Sequence, residues 1–179
     1  MIVAFTGYKG SGKDTAAKAL KDFEVYKFAD GLKAMLGSYL FLYGHSTEEV
    51  DYMLENPVGK ELPTEALMGQ TPRWAMQSLG TEWGRRLIHD DLWYNLMRKR
   101  LVLAKEQNKN VVITDLRFLN EAMLLYSLGG TVIRITRPNT VAGFHQSEKE
   151  LDLIVPQHTI ANNGTPEELL SKVSSILKV

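Results

Sequence analysis

The sequence feature that most constrains the fold is the glycine-rich segment at residues 7–15, which reads Gly-Tyr-Lys-Gly-Ser-Gly-Lys-Asp-Thr. It follows a short apolar stretch, residues 2–6, and leads into residues 13–22, which are predicted to form a helix. A strand, a glycine-rich turn ending in lysine, and a helix are the context that the Walker A phosphate-binding loop requires. Glycine lets the backbone bend tightly and bring its N–H groups onto phosphate oxygens. The segment therefore predicts a site for the phosphates of ATP.

The side chains of this loop have distinct expected roles. Lys13 is expected to reach the β- and γ-phosphates. Asp14 stands where a Ser or Thr normally ligates magnesium, so we expect Mg²⁺ to be held through water with help from Asp14, while Thr15 hydrogen-bonds an α- or β-phosphate oxygen. The residues predicted to bind the nucleotide here are Gly10, Ser11, Gly12, Lys13, Asp14 and Thr15. The alternative is a glycine-rich turn with a solvent-exposed lysine. In either case the sequence predicts a loop that faces solvent when no ligand is bound.

Short apolar stretches alternate with helical patterns along the rest of the chain, which predicts an α/β fold with a mostly parallel sheet. The predicted strands are residues 2–6, 25–28, 111–114, 131–136 and 159–161. The predicted helices are residues 13–22, 30–43, 47–54, 72–88, 91–107, 119–128 and 165–178. Ligands of such sheets bind at the carboxyl ends of the strands, so functional side chains are expected just after each strand.

Length and charge narrow the class of protein. A chain of 179 residues predicts one compact domain over residues 1–179. Lys and Arg together number 21, as do Asp and Glu, so the formal net charge is zero, which argues against nucleic acid as the main partner. The absence of cysteine excludes a disulfide scaffold, a thiol nucleophile and a thiolate metal site. No apolar run near the N-terminus is long enough for a signal peptide or membrane span, so the expected location is the cytoplasm.

The predicted helix at residues 72–88 has two faces. Arg73, Gln77 and Thr81 recur every four residues on one side, where Arg73 is a candidate to grip an anionic phosphate and the other two to read a base edge. The opposite, apolar side is predicted to contain Ala75, Leu79, Trp83 and Leu87. Gly80 and Gly84 disfavour a helix, so they predict that something packs closely against it and favour a functional face. The alternative is a solvated helix face.

Charged residues follow two of the later strands. Asp115 is a candidate to position magnesium or to orient the oxygen that attacks the γ-phosphate. Arg117 is a candidate to neutralise charge on the phosphate of the molecule that accepts the phosphoryl group. The alternative for Asp115 is the N-cap of the helix at residues 119–128. Arg137, after the next strand, is a candidate catalytic cation, and Arg134 lies beside it. Residues 138–157 are the natural candidate for a lid, which enzymes that transfer phosphoryl groups use to exclude water and supply cations.

With these pieces in this order, the chain resembles the bacteriophage deoxynucleoside monophosphate kinases. The segments that carry the resemblance are residues 10–15, 28–33, 73–81, 91–93, 111–121, 129–138 and 160–164 with the helix after them. The resemblance implies a P-loop kinase with a five-stranded parallel sheet flanked by helices, a helical acceptor-binding region at about residues 30–95 and a lid. It implies ATP and Mg²⁺ as cosubstrates and small-molecule nucleotides as partners. It also implies the host cytoplasm if the chain is phage-encoded, and it allows a homodimer.

The resemblance also assigns residues by position. Lys33, Arg73, Gln77 and Arg117 are implied to serve the acceptor, and residues 162–164, with Asn162 and Gly164, to lie near the adenine of ATP. The implied reaction is ATP-dependent phosphorylation of deoxynucleoside monophosphates to diphosphates. One alternative is a P-loop kinase for another small acceptor, such as dephospho-coenzyme A or phosphomevalonate. A second is a regulatory module that binds ATP without catalysis.

Overall fold

The computed structural model describes residues 1–138, 140 and 150–179. The chain forms two compact units, one made of Met1–Phe28 with Met97–Val179 and the other of Ala29–Leu96. We call them the sheet unit and the helical unit. The helical unit coincides with the region at about residues 30–95 that was predicted to bind the acceptor. A single domain over residues 1–179 stays a prediction.

The sheet unit is built on five parallel strands in the order β2-β3-β1-β4-β5. The strands are β1 (Ile2–Thr6), β2 (Glu24–Tyr26), β3 (Val111–Leu116), β4 (Thr131–Thr136) and β5 (His158–Ala161). β1 is central and all five of its residues are buried, as expected for a strand covered on both faces. Ala4 on β1 lies opposite Ile113 on β3 and Val132 on β4. The predicted five-stranded parallel α/β fold is confirmed.

Within the described residues, three helices belong entirely to the sheet unit: α1 (Lys13–Ala17), α6 (Leu119–Ser127) and α7 (Pro166–Leu177). Leu169 and Val173 of α7 pack in one buried cluster with Ala16 and Ala17 of α1 and with Phe5 of β1. α1 is shorter than the predicted helix at residues 13–22, because the next backbone N–H groups donate three residues back, in tighter turns. α7 begins at a capping threonine, Thr165, whose hydroxyl accepts from the backbone N–H of Glu168.

The helical unit contains α2 (Asp30–Tyr43), α3 (Thr47–Glu55), α4 (Pro72–Gln77) and a π-helix (Ser78–Ile88), and α5 (Leu92–Glu106) begins in it. Its core joins Leu36 and Leu40 of α2 to Leu54 of α3 and Ala75 of α4. α3 starts with a capping box, in which Ser46 and Glu49 each accept a backbone N–H of the other. Two short 3₁₀ turns, Gly59–Glu61 and Glu65–Leu67, occupy the predicted loop region between α3 and α4.

The predicted regular helix at residues 72–88 is wrong beyond Gln77, where a π-helix replaces it. A π-helix bonds each carbonyl to the N–H five residues on, so it needs more residues per turn and rotates the later side chains off the predicted faces. Leu87, expected on the apolar side, is 75% exposed, whereas Thr81, expected on the polar side, is 6% exposed. The two-faced pattern holds only for α4.

The two helix glycines are explained by side chains of the same unit. A Cβ placed on Gly80 would lie 3.2 Å from Cδ2 of Leu32. Trp93 is buried, and its Nε1 donates to the carbonyl of Gly80 at 2.8 Å. A Cβ placed on Gly84 would lie 2.6 Å from the same Trp93 nitrogen, closer than such contacts allow. The prediction that something packs closely here is confirmed. Because these partners are Leu32 and Trp93, the glycines no longer favour a functional face.

Among residues 1–138, 140 and 150–179, no helix combines the length and hydrophobicity that crossing a bilayer demands.

Candidate active site

The glycine-rich loop has the backbone that a phosphate site needs. Gly7, Gly10 and Gly12 have φ values of 141°, 82° and 105°, a region that other residues rarely adopt. Two of them are also sterically required: a Cβ on Gly7 would lie 2.3 Å from the carbonyl oxygen of Ile135, and one on Gly12 would lie 2.5 Å from Nδ2 of Asn162. The loop is therefore held tightly on two sides by β4 and by the segment after β5.

Lys13, the first residue of α1, is directed into the loop. Its Nζ donates to the carbonyl oxygens of Gly7 at 2.6 Å and Tyr8 at 2.9 Å. The residue is only 8% exposed, so the alternative of a solvent-exposed lysine is wrong, and so is the expectation that this part of the loop faces solvent. A bound triphosphate would offer Lys13 anionic phosphate oxygens in place of these neutral carbonyls, and a hydrogen bond between two ionised groups is the stronger one.

The other loop side chains differ in their access to a ligand. Ser11 is fully buried, and within the part of the chain that the structure describes its hydroxyl has no hydrogen-bond partner. Its predicted contact with the nucleotide stays a prediction. Asp14 is exposed and Thr15 is half-buried, so both are accessible at the start of α1. Gly10 is open, with no atom within 4 Å of a Cβ built on it.

Asn162 braces the phosphate loop. Its side-chain Nδ2 donates to the carbonyl of Ser11 at 2.9 Å, and its backbone N–H donates to the carbonyl of Thr136 at 2.7 Å. The resemblance associated this residue with adenine, and no sequence pattern indicated the brace, because the partners lie 151 residues apart. Gly164 is exposed and directly precedes the cap of α7. Contacts of Asn162 and Gly164 with adenine stay predictions.

Asp115 lies inside β3 rather than after it, because this strand continues to Leu116. The register between β1 and β3 shifts by one residue here, since Ala4 lies opposite Ile113 but Thr6 lies opposite Leu116. Such irregularities re-aim side chains and are frequent next to active sites. The Asp115 carboxylate accepts the backbone N–H of Phe28 at 2.9 Å.

The alternative role of Asp115 as a helix cap is wrong. Phe118 occupies the N-cap position of α6, and the carboxylate of Glu121 accepts the backbone N–H groups of Phe118 at 3.2 Å and Arg117 at 3.1 Å. Glu121 is 2% exposed, so this carboxylate is committed to the start of the helix. Asp115 therefore remains a candidate for chemistry.

The arginines after the strands divide into two groups. Arg134 donates from Nη2 to the carbonyls of Leu151 at 2.6 Å and Ile154 at 2.7 Å, so it supports a turn and is not a cation reserved for phosphate. Arg137 is exposed and Arg117 is half-buried, and their catalytic roles stay predictions. Of the predicted lid at residues 138–157, residues 139 and 141–149, including His145, lie outside the described residues.

The predicted acceptor cations of the helical unit are each paired with a carboxylate. Lys33 Nζ lies 2.6 Å from Glu55 Oε1, and Arg73 donates from Nε to Glu61. Neither glutamate was predicted as a site residue, since both come from a segment without a clear pattern. Arg73 uses only Nε in this pair, which leaves the two terminal nitrogens of its planar fork as potential donors. Gln77 is exposed, unlike Thr81.

No cage of protein ligands for a metal is found in residues 1–138, 140 and 150–179, in the sense of three or more His, Cys, Asp or Glu side chains grouped together. Mg²⁺ seldom uses such a cage: in phosphoryl-transfer sites it takes one or two carboxylates plus substrate phosphates and waters. The exposed carboxylate of Asp14 beside Lys13, and Asp115 in β3, are donors of this kind. The donor set therefore fits a magnesium ion that arrives with the nucleotide.

Comparison with known proteins finds a family model, relatives and similar solved structures. A family model described as deoxynucleotide monophosphate kinase matches residues 66–173. A protein of Acanthamoeba polyphaga mimivirus, provisionally named deoxynucleotide monophosphate kinase, is 34% identical over 194 residues, covering 98% of this chain and 95% of that protein. The deoxynucleoside-5′-monophosphate kinase of Escherichia phage T5 is 32% identical over 100 residues, which cover 51% of this chain and 39% of the phage protein. Among solved structures, an unliganded sugar kinase from Janibacter matches with a TM-score of 0.49 and 18% identity, covering 99% of this chain and 94% of that one.

Proposed function

Because the chain belongs to the deoxynucleotide monophosphate kinase family, we propose that it transfers the γ-phosphoryl group of ATP to a deoxynucleoside monophosphate. An oxygen of the acceptor phosphate forms a bond to the γ-phosphorus, the bond from this phosphorus to the β–γ bridging oxygen breaks, and ADP leaves. The observation that carries the proposal is the phosphate loop, with Lys13 directed into it beside the central strand of a parallel sheet.

The sheet unit supplies the groups for the donor nucleotide. Lys13 exchanges its carbonyl partners for β- and γ-phosphate oxygens, and the loop N–H groups bind the remaining oxygens. Asp14 and Asp115 would hold Mg²⁺, and the ion would neutralise charge on the phosphates when bound. Arg117 and Arg137 offset the repulsion between the donor and acceptor phosphates, which is the main obstacle to bringing two anions together.

The helical unit supplies the groups for the acceptor nucleotide. Lys33 and Arg73 bind its phosphate, and both are already held in place by carboxylates. Gln77 reads the base, because its amide is exposed one turn after Arg73 on α4. Thr81 contributes to the same region from the π-helix, although its burial makes it less accessible than Gln77.

An acceptor panel tests the proposed reaction. ADP formation from ATP and Mg²⁺ is measured with deoxy- and ribonucleoside monophosphates, with dephospho-coenzyme A, with phosphomevalonate and without acceptor. We expect turnover to be stimulated by at least one deoxynucleoside monophosphate, with the matching diphosphate as product. Stimulation by only dephospho-coenzyme A or phosphomevalonate would support the other small-acceptor kinases. ATP binding without stimulation by any acceptor would support a regulatory module.

Asp115→Asn is expected to lower kcat by at least ~10-fold while leaving the melting temperature nearly unchanged. The substitution removes the charge that holds magnesium or orients the attacking oxygen. The asparagine oxygen can still accept the N–H of Phe28, so this contact within the sheet unit is preserved. Steady-state kinetics and thermal unfolding measure the two quantities.

Asp22→Asn is the matched control, since Asp22 is an exposed aspartate of the same unit and should leave kcat unchanged. Full activity in Asp115→Asn would remove Asp115 from the mechanism.

Arg117→Ala, in contrast, should raise the acceptor KM and lower kcat together.

A further inference from the structure

Tyr8, the second residue of the phosphate loop, is tied to its surroundings at both ends. Its hydroxyl donates to the Asp152 carboxylate, at 3.0 and 2.9 Å from the two oxygens. Its carbonyl accepts from Lys13 Nζ at 2.9 Å and from the backbone N–H of Ser11 at 3.1 Å. Tyr8 therefore connects the phosphate-binding lysine to a carboxylate 144 residues further along the chain.

The turn that carries Asp152 is itself anchored to the sheet. The turn is a short 3₁₀ helix, Leu151–Leu153. Arg134 on β4 donates to the carbonyl of its first residue, Leu151, and to that of Ile154, which directly follows the turn. Leu151 is 3% exposed and Ile154 is 1% exposed, so both ends of the turn are fixed in the core. Arg134 lies opposite Thr6, the last residue of β1 before the loop. Asp152 is thus presented to Tyr8 from a turn whose two ends are anchored in the sheet unit.

We propose that Tyr8 and Asp152 are positioning residues of the ATP site, which hold one flank of the phosphate loop in its binding conformation while Asn162 holds the other. This inference rests on the proposed function. Asn162 fixes the carbonyl of Ser11, and the Tyr8–Asp152 bond fixes the residue whose carbonyl receives Lys13. A loop that is ordered before ATP arrives does not lose conformational entropy on binding, so its affinity is higher.

The charge of Asp152 and its hydrogen bond predict opposite effects on ATP binding when the residue is replaced. A carboxylate near a triphosphate repels it, so removing the charge alone would strengthen ATP binding. If positioning dominates, removing the hydrogen bond weakens ATP binding despite the lost charge. Asp152→Asn removes the charge but keeps an oxygen that accepts the Tyr8 hydroxyl, whereas Asp152→Ala removes both. The pair of variants therefore separates the two effects.

The test is the affinity for a non-hydrolysable ATP analogue, measured by calorimetry, together with the KM for ATP. Tyr8→Phe and Asp152→Ala should each weaken analogue binding and raise the ATP KM by about three- to tenfold, the worth of one partly exposed hydrogen bond. The acceptor KM should not change. Asp152→Asn should stay within about twofold of the native protein, because its hydrogen bond is retained.

The double variant Tyr8→Phe/Asp152→Ala should be no weaker than either single variant, since both remove the same bond. Tyr26→Phe is the matched control, because Tyr26 also donates to a carboxylate, that of Glu24 at 3.2 Å, but on β2. It should leave the ATP KM unchanged. Melting temperatures verify that every variant is folded.

The proposal is overturned if Tyr8→Phe binds the analogue like the native protein, if the two single effects add in the double variant, or if Asp152→Ala binds more tightly. These outcomes are distinct from a failure of the proposed function. A native protein without acceptor-stimulated turnover would refute the kinase reaction, but calorimetry with the analogue would still decide whether Tyr8 and Asp152 position the loop.

Discussion

Lys13→Ala is expected to lower kcat by at least ~100-fold, the effect of losing one preorganised charge contact to the transferring group. Lys13 is directed into the phosphate loop by bonds to two carbonyls, so its ammonium is already close to where the β- and γ-phosphates bind. The substitution also removes a donor from each of those two carbonyls, although the Tyr8 carbonyl keeps the backbone N–H of Ser11. Because the side chain is buried, we expect a lower melting temperature as well as slower turnover.

The matched control is Lys18→Ala, an exposed lysine at the end of α1 that should change neither quantity. The affinity for the ATP analogue separates the two effects in Lys13→Ala. A variant that is folded at the assay temperature, binds the analogue and yet turns over near the native rate would contradict the phosphate-loop assignment. Loss of turnover caused only by unfolding would be visible in the melting curve.

Arg73→Ala is expected to raise the KM of every monophosphate acceptor by roughly 10- to 100-fold, the worth of a charged hydrogen bond to phosphate. The effect should be the same for all bases, because the phosphate is common to them. The KM for ATP should hardly change. Gln77→Ala should instead alter the ranking among bases, since only this side chain would contact groups that differ between them. Kinetics across the acceptor panel measure both.

Arg86→Ala is the matched control for Arg73→Ala. Arg86 belongs to the same unit and also pairs with a glutamate, Glu82, at 3.6 Å, but on the exposed side of the π-helix. Its replacement should leave acceptor kinetics unchanged. If Arg73→Ala behaves like this control, and Gln77→Ala leaves the base ranking intact, the exposed face of α4 is only a solvated surface.

The sequence alone determined the elements whose signals are local. The bounds of β1, β4 and α2 agree with the predicted residues 2–6, 131–136 and 30–43, because apolar runs and helical spacing act over a few neighbours. The phosphate loop was equally clear, since its glycines and the lysine at the helix start all lie within residues 7–13.

Only the tertiary structure decided which side chains of the candidate site are paired, exposed or buried. The brace from Asn162, the bond from Tyr8 to Asp152, and the pairs of Lys33 and Arg73 with glutamates join residues from 12 to 151 positions apart. No local pattern encodes such contacts. The π-helix also depends on tertiary contacts. Trp93 donates to the carbonyl of Gly80 and packs against Gly84, and the helix beyond Gln77 departs from the regular period that local spacing predicts. Local spacing reports periodicity within one element, whereas these contacts depend on how separate elements pack, and packing routinely overrides local preference.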